Sequence, residues 1–176
     1  MLGQIFPNLT CRGIDSLDET SSAADVSGKV LEICQKKASA VTINNEFDLV
    51  IVSDTMLQDP DVDAVAMGKA IDAIEAAGML HRLSGRRHRV WSATGIYYRG
   101  SWEFHLNQAI VEFDELSDEV LVELVLSNSW VGKAGSYDLA GDMSKYARLV
   151  EGDEATVLGI ASDAMTRLVD LSDYET

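Results

Sequence analysis

The stretch from Ser53 to Val90 constrains the fold most tightly. An apolar run, Leu49 to Val52, ends in Ser53-Asp54-Thr55, and fifteen residues after Asp54 a Lys69-Ala70 pair opens an amphipathic segment. That segment closes in Leu83-Ser84-Gly85-Arg86-Arg87-His88-Arg89-Val90. Read as strand, helix and return to strand, the order sets an acid, a lysine and a cationic turn on three successive element ends. Such ends are where a small α/β protein holds a phosphorylated ligand.

The flanking segments carry their own periods. Val26, Val30, Ile33, Cys34 and Val41 recur at near-helical spacing, which predicts a helix from Asp25 to about Val41. Phe47 to Val52 reads as a short buried strand. Ile71, Ile74, Ala77, Leu80 and Leu83 recur every three residues, a drifting apolar stripe that would face a sheet, and Ser84-Gly85 ends that helix with Gly85 left-handed. His88 to Tyr98, the turn Arg99-Gly100-Ser101 and Trp102 to Phe113 predict a long hairpin. Ser117 caps a helix that has acids in its first turn and ends near Asn128. Gly132, Gly135 and Gly141 punctuate a loop, Val150 and Thr156 to Ile160 read as two short strands, and Ser162 to Leu171 as a final helix. Early alternation with a central hairpin points to α/β or α+β with a mixed sheet. The absence of repeats and linkers points to a single domain over residues 1–176.

With 176 residues, 47% of them hydrophobic, the chain can bury one proper core. Its apolar runs fall far short of the ~20 residues that span a bilayer, and Met1-Leu2-Gly3-Gln4-Ile5 lacks the pattern of an export signal. The expectation is a soluble cytoplasmic protein, with Cys11 and Cys34 reduced and no thiol metal pattern. A net charge of -15 repels nucleic acid polymers and anionic membranes. Against it, Arg82, Arg86, Arg87 and Arg89 form a local positive island. Two readings stand: a site for a small anion, or a solvated strand entry.

Several residues carry candidate chemistry, each beside a plainer role. Asp54, closing a strand, can coordinate a hard cation or accept a proton from an attacking water, or it begins a turn. Lys69, placed at a helix start after Gly68, can present an ammonium to phosphate beside helix amides, or it is simply exposed. Glu19 beside Asp18 can supply oxygens to Mg²⁺, or forms a solvated turn. Lys36-Lys37 complements the C-terminal dipole of the first helix. His88 has no second histidine at metal spacing, and no Ser-His-Asp set, nucleophile elbow, dinucleotide fingerprint or Walker loop is present.

Taken in order, Asp18-Glu19-Thr20, Lys37-Ala38, Asp54-Thr55, Lys69, Glu75-Ala76, Met79-Leu80, Leu83-Ser84-Gly85-Arg86-x-His88-x-Val90, Gly132-Lys133-Ala134-Gly135-x-Tyr137, Gly141, Gly152-Asp153 and Val157-x-Gly159 resemble the Maf family. Its members are septum-formation-inhibitor-like nucleoside triphosphate pyrophosphatases. The resemblance implies two α/β lobes around a central cleft, similar to inosine-triphosphate pyrophosphatase, and a homodimer. It implies hydrolysis of a non-standard or pyrimidine nucleoside triphosphate to monophosphate and pyrophosphate with Mg²⁺ or Mn²⁺. By the same resemblance Asp54 would orient or deprotonate water and bind metal, and Glu19 would join the metal site. Lys37 and Lys69 would hold phosphates, Thr55 would contact substrate, and Ser84, Gly85 and Arg86 would shape the adjoining turn.

The departures matter as much. The family's Ser-x-Ser-Pro-Arg-Arg loop has no counterpart here, since Arg12 is the only arginine before Glu19 and Met1 to Phe6 align with the helix after that loop. A family glutamine falls on Ala140, a proline on Ala70, and the interval from Asp54 to Lys69 is about three residues longer, through Gln58-Asp59-Pro60-Asp61. Two expectations therefore stand: a pyrophosphatase, or a catalytically impaired Maf-like dimer that binds nucleotide without cleaving it.

Overall fold

A computed structural model describes residues 1–14, 17–43 and 47–173. In chain order, α1 spans Leu2–Ile5, α2 Val26–Ala40, β1 Leu49–Gln58, β2 Ala66–Met67, α3 Ala73–Leu83, β3 Arg87–Tyr98 and β4 Ser101–Phe113. They are followed by α4 at Asp118–Leu126, β5 at Ala147–Glu151, α5 at Glu154–Val157 and α6 at Ser162–Asp173. The strands form one sheet in the order β2-β1-β3-β4-β5. The α/β fold with flanking helices is as predicted. The sheet is antiparallel at every pairing of the described strands rather than mixed, because the connection from β1 to β3 first reverses through β2.

Helices cover both faces. Val30, Cys34 and Ala38 of α2 pack on Val52 and Ala93, while α6 buries Ala164, Leu168 and Leu171 against Ile96 on the other side. A third cluster joins Leu80 and Leu83 of α3, Leu124 of α4, and Leu57, Val111 and Phe113 of the sheet. Ser117 caps α4 through Val120 N–H, as the sequence predicts, and Asp25, read as the start of the first helix, caps α2 through Gly28 N–H.

Three elements differ from the sequence reading, each for a physical reason. β1 does not stop at Val52 but runs on through Ser53-Asp54-Thr55, because all three polar side chains find partners inside the fold. α3 begins at Ala73, not at Lys69. Asp72 accepts from Glu75 N–H, and Glu75 in turn accepts from Ile71 N–H. Its buried face is Ala76, Leu80 and Leu83, whereas Ile71 and Ile74 are 88% and 84% exposed, since a three-residue repeat drifts off a 3.6-residue helix. Thr156 and Val157 lie in the turn of α5, capped by Asp153, not in a strand.

The arginine island is neutralised within the protein. Arg82 is bidentate on Asp59, Arg86 meets Asp61 at 2.7 Å, Arg87 meets Glu112 at 2.9 Å, and Arg89 lies 3.8 Å from Asp63. Asp59, Asp61 and Asp63 of the longer β1–β2 connection, with Glu112 of β4, thus take the charges that the sequence offers to a small anion.

Two features of the fold give measurable expectations. At Gly152, just past β5 and its bulge at Val150, φ is +88° and an added Cβ would lie 2.7 Å from Gln108 O and 2.8 Å from Ala109 Cα. Gly152→Ala should cost about 2–4 kcal/mol in chemical denaturation. Gly100→Ala, with φ of +92° but open space around it, should cost about 1 kcal/mol. Equal losses would contradict the clash.

His88 is buried edge-on against Phe113 and Tyr137, with Nε2 2.9 Å from the Tyr137 hydroxyl, and burial holds its imidazole down at about 4. The unfolded chain takes up this proton near pH 6.5 and the folded one does not. The neutral ring's contribution, on the order of 3 kcal/mol, is therefore full above 6.5 and is lost as pH falls toward 4. Urea midpoints should fall between pH 6.5 and 5 in the native chain and fall less in His88→Gln; identical slopes would contradict this.

Candidate active site

β1 pairs with β3 from Leu49 to Leu57 but with β2 only at Leu57 and Gln58, which leaves its other edge open over Leu49 to Met56 among the described residues. A cleft of about 530 Å³ lies along that edge. One wall is α2 with the segment preceding it. The other is the turn 132–139 with the end of α5, and Ile33, Leu57, Met67 and Val90 give it apolar lining.

Asp54 stands in the middle of β1. The pleat sends Val52 and Asp54 to the α2 face and Ser53 and Thr55 to the α6 face. On the α2 face Lys37 Nζ donates to Asp54 Oδ1 at 2.6 Å and to Ser53 O at 3.3 Å, and it lies 3.3 Å from Glu19 Oε1. The Asp54 side chain is 12% exposed and that of Glu19 57% exposed. Burial pushes the Asp54 carboxyl up from the usual aspartate range; the Lys37 hydrogen bond and charge oppose this, and the Glu19 charge adds to it. Burial works against the Lys37 ammonium, but its bonds and charge contacts with Asp54 and Glu19 outweigh burial and hold its pKa above the ordinary value. The ammonium is thus held charged between two carboxylates, while Asp54 Oδ2 has no hydrogen-bond partner among the described residues.

On the α6 face, cross-strand hydroxyls form two relays. Ala161 N–H donates to Thr94 Oγ1, which lies 3.0 Å from Ser53 Oγ, and Ser53 donates to Gly159 O at 2.6 Å. Thr55 Oγ1 lies 2.7 Å from Ser92 Oγ, and Ser92 donates to Thr156 O at 2.7 Å. Ser92 spends its proton on that carbonyl, so Thr55 must donate to Ser92 and offers the cleft only lone pairs. The relays fasten the α5 turn to β1 and so set the position of the cleft's second wall.

Of the residues singled out from the sequence, Glu19, Lys37, Asp54, Thr55 and Lys69 all line this cleft. Lys69 is not at a helix N-terminus. It forms a β-bridge with Ala134, beside a Gly135 N–H to Gly68 O bond of 2.9 Å, and is exposed. Ser84, Gly85 and Arg86 are not part of the cleft lining. Ser84 Oγ accepts from Leu116 N–H, Gly85 N–H donates to Asp114 O with φ of +68°, and Arg86 pairs with Asp61. Sequence reasoning missed Lys133 and Asp138 as a cleft pair at 2.9 Å, and also the hydroxyl relays. The signal for the relays was there: Ser53 and Thr55 match Ser92 and Thr94 at the two-residue period of a strand.

Among the described residues no three His, Cys, Asp or Glu side chains group as a metal site. No helix of the described residues is long and apolar enough to cross a membrane.

A family model described as "Maf-like protein" matches residues 1–171. A dTTP/UTP pyrophosphatase of Pyrococcus abyssi is 29% identical over 155 residues, 88% of this chain and 81% of that protein. Its counterpart from Pyrococcus horikoshii is 30% identical over 156 residues, 89% and 82% of the two chains. That from Bacillus cereus strain AH820 is 30% identical over 155 residues, 88% and 80%. With Asp54, Lys37 and Lys69 lining one cleft and nearly its whole length matched, the chain belongs to the family of Maf-like proteins.

Proposed function

We propose that this protein is a nucleoside triphosphate pyrophosphatase that acts on dTTP or UTP, releasing nucleoside monophosphate and pyrophosphate. The reading rests chiefly on one observation, the partly desolvated Asp54 carboxylate paired through Oδ1 with Lys37 while Oδ2 is open. A carboxylate raised above its ordinary range in a cleft is suited to take a proton. The names of the relatives support the substrate class. The apolar lining around Leu57, Met67 and Val90 gives a base a surface to lie against.

In the reaction, Asp54 Oδ2 takes a proton from water as the water oxygen bonds to the α-phosphorus. The bond from that phosphorus to the oxygen bridging to the β-phosphorus breaks, and pyrophosphate leaves with the electron pair. Lys69, exposed at the mouth and free of any carboxylate within ion-pair distance among the described residues, holds phosphate oxygens as a point charge. Lys37 holds Asp54 in place and keeps its charge tolerable in a desolvated position.

The donor set fits Mg²⁺ or Mn²⁺. Asp54 and Glu19 already converge on one cation, the Lys37 ammonium, and Mg²⁺ is commonly bound by one or two carboxylates together with substrate phosphates. A divalent ion held by these two residues supplies neutralisation of the charge on the phosphate oxygens. The proposal extends to a cytoplasmic homodimer, as the family resemblance implies. That Lys37 already engages both carboxylates favours one competing reading, a scaffold that binds nucleotide without cleaving it.

Pyrophosphate release should be measured on dTTP, UTP, CTP, ATP, GTP and ITP with Mg²⁺ and with Mn²⁺. The expected result is turnover greatest on dTTP or UTP, with kcat lowered at least about 100-fold in Asp54→Asn. Turnover on none of the six would leave the non-catalytic reading, and an undiminished Asp54→Asn would take the proton-accepting role away from Asp54.

A further inference from the structure

We propose that Lys133 is a second mobile phosphate-binding cation of the cleft, held between turnovers by Asp138 and handed from that carboxylate to the anion; this deepens the pyrophosphatase reading and rests on it for the identity of the anion. The cleft lining holds three ammonium groups, Lys37, Lys69 and Lys133, against three carboxylates, Glu19, Asp54 and Asp138. Such a cleft has no net attraction for a polyphosphate until some cation is released from its carboxylate. Lys37 is not the one released, since it is part-buried and held by Asp54, Glu19 and Ser53 O together. Lys69 needs no release. Lys133 is the remaining cation, and its attachments differ in kind from those of Lys37.

Its ammonium meets a single carboxylate, Asp138 Oδ2, at 2.9 Å, and both side chains are wet, 47% and 27% exposed. A pair in that setting is weak and exchanges readily. Its backbone, by contrast, is fixed. The bridge from Lys69 to Ala134 and the Gly135 N–H to Gly68 O bond tie the turn to the segment that carries Lys69. Leu57 packs where a Cβ at Gly135 would lie, 2.6 Å away, so the turn sits close against β1. Asp138 is itself held by Ala140 N–H on Oδ1, which ties its carboxylate to its own turn. A fixed turn, a long mobile side chain and a stationary weak partner make a cation that can move to an arriving phosphate.

The two residues then act with opposite signs on binding. Calorimetric titration with inorganic tripolyphosphate, which needs no catalysis, should show Lys133→Met weakening binding at least about tenfold and Lys133→Arg restoring most of it. Asp138→Asn should tighten binding about threefold, because the competing carboxylate is gone. If the protein turns over a nucleoside triphosphate, the same variants should move KM in these directions with kcat nearly constant. The tripolyphosphate titration stands even if no nucleotide is cleaved, so failure of the pyrophosphatase reading and failure of this inference are told apart. The inference is overturned if Lys133→Met binds tripolyphosphate as the native chain does, if Asp138→Asn weakens binding, or if the native chain binds none.

Discussion

A carboxylate in the middle of a strand survives only if the fold gives it a partner, since burying an uncompensated charge costs several kcal/mol. Here the partner is a single ammonium. Lys37, on the last turn of α2, reaches Asp54, the Ser53 carbonyl and Glu19, and so joins helix, strand and N-terminal segment at one point. It lets β1 continue through Ser53-Asp54-Thr55, and it brings both carboxylates of the proposed chemistry to one place. The open edge of β1, the cleft along it and the placement of α2 all meet at this contact.

The fold was legible wherever a period or a cap dictated it. Asp25 and Ser117 marked their helices, and Arg99-Gly100 marked the long hairpin, because these signals are local. The reading failed where tertiary partners override local chemistry. Ser53-Asp54-Thr55 looks like a strand end because three polar residues in a row rarely lie within a strand. Only the cross-sheet hydroxyls of Ser92 and Thr94, and the distant Lys37, make that arrangement tolerable. Lys69 was found in the sequence for its charge but assigned the wrong setting, since the cap at Asp72 and Glu75 starts the helix later. The candidate site was legible as a set of residue types in order. The pairings of those residues were not, because Lys37 to Asp54 and Lys133 to Asp138 follow from which walls face each other.

Charge is arranged by compensation on two scales. The chain as a whole is strongly acidic, yet its densest cationic stretch, Arg82 to Arg89, is matched side chain by side chain by Asp59, Asp61, Asp63 and Glu112. The longer β1–β2 connection thus fastens α3 and the start of β3 to the sheet edge, and the cations that face the cleft come from elsewhere. This division explains why the most basic stretch of the sequence is not part of the cleft, while isolated lysines at positions 37, 69 and 133 are.

The central claim, that the Lys37 ammonium holds a desolvated Asp54 in a chargeable state, is most directly tested by carbon-13 carboxyl NMR titration of Asp54 in the native chain and in Lys37→Met. The account predicts a native midpoint above the ordinary aspartate value of 3.8, because burial outweighs the ion pair, and a further rise when the ammonium is removed. A native midpoint at or below 3.8, or one that Lys37→Met leaves unmoved, would contradict it.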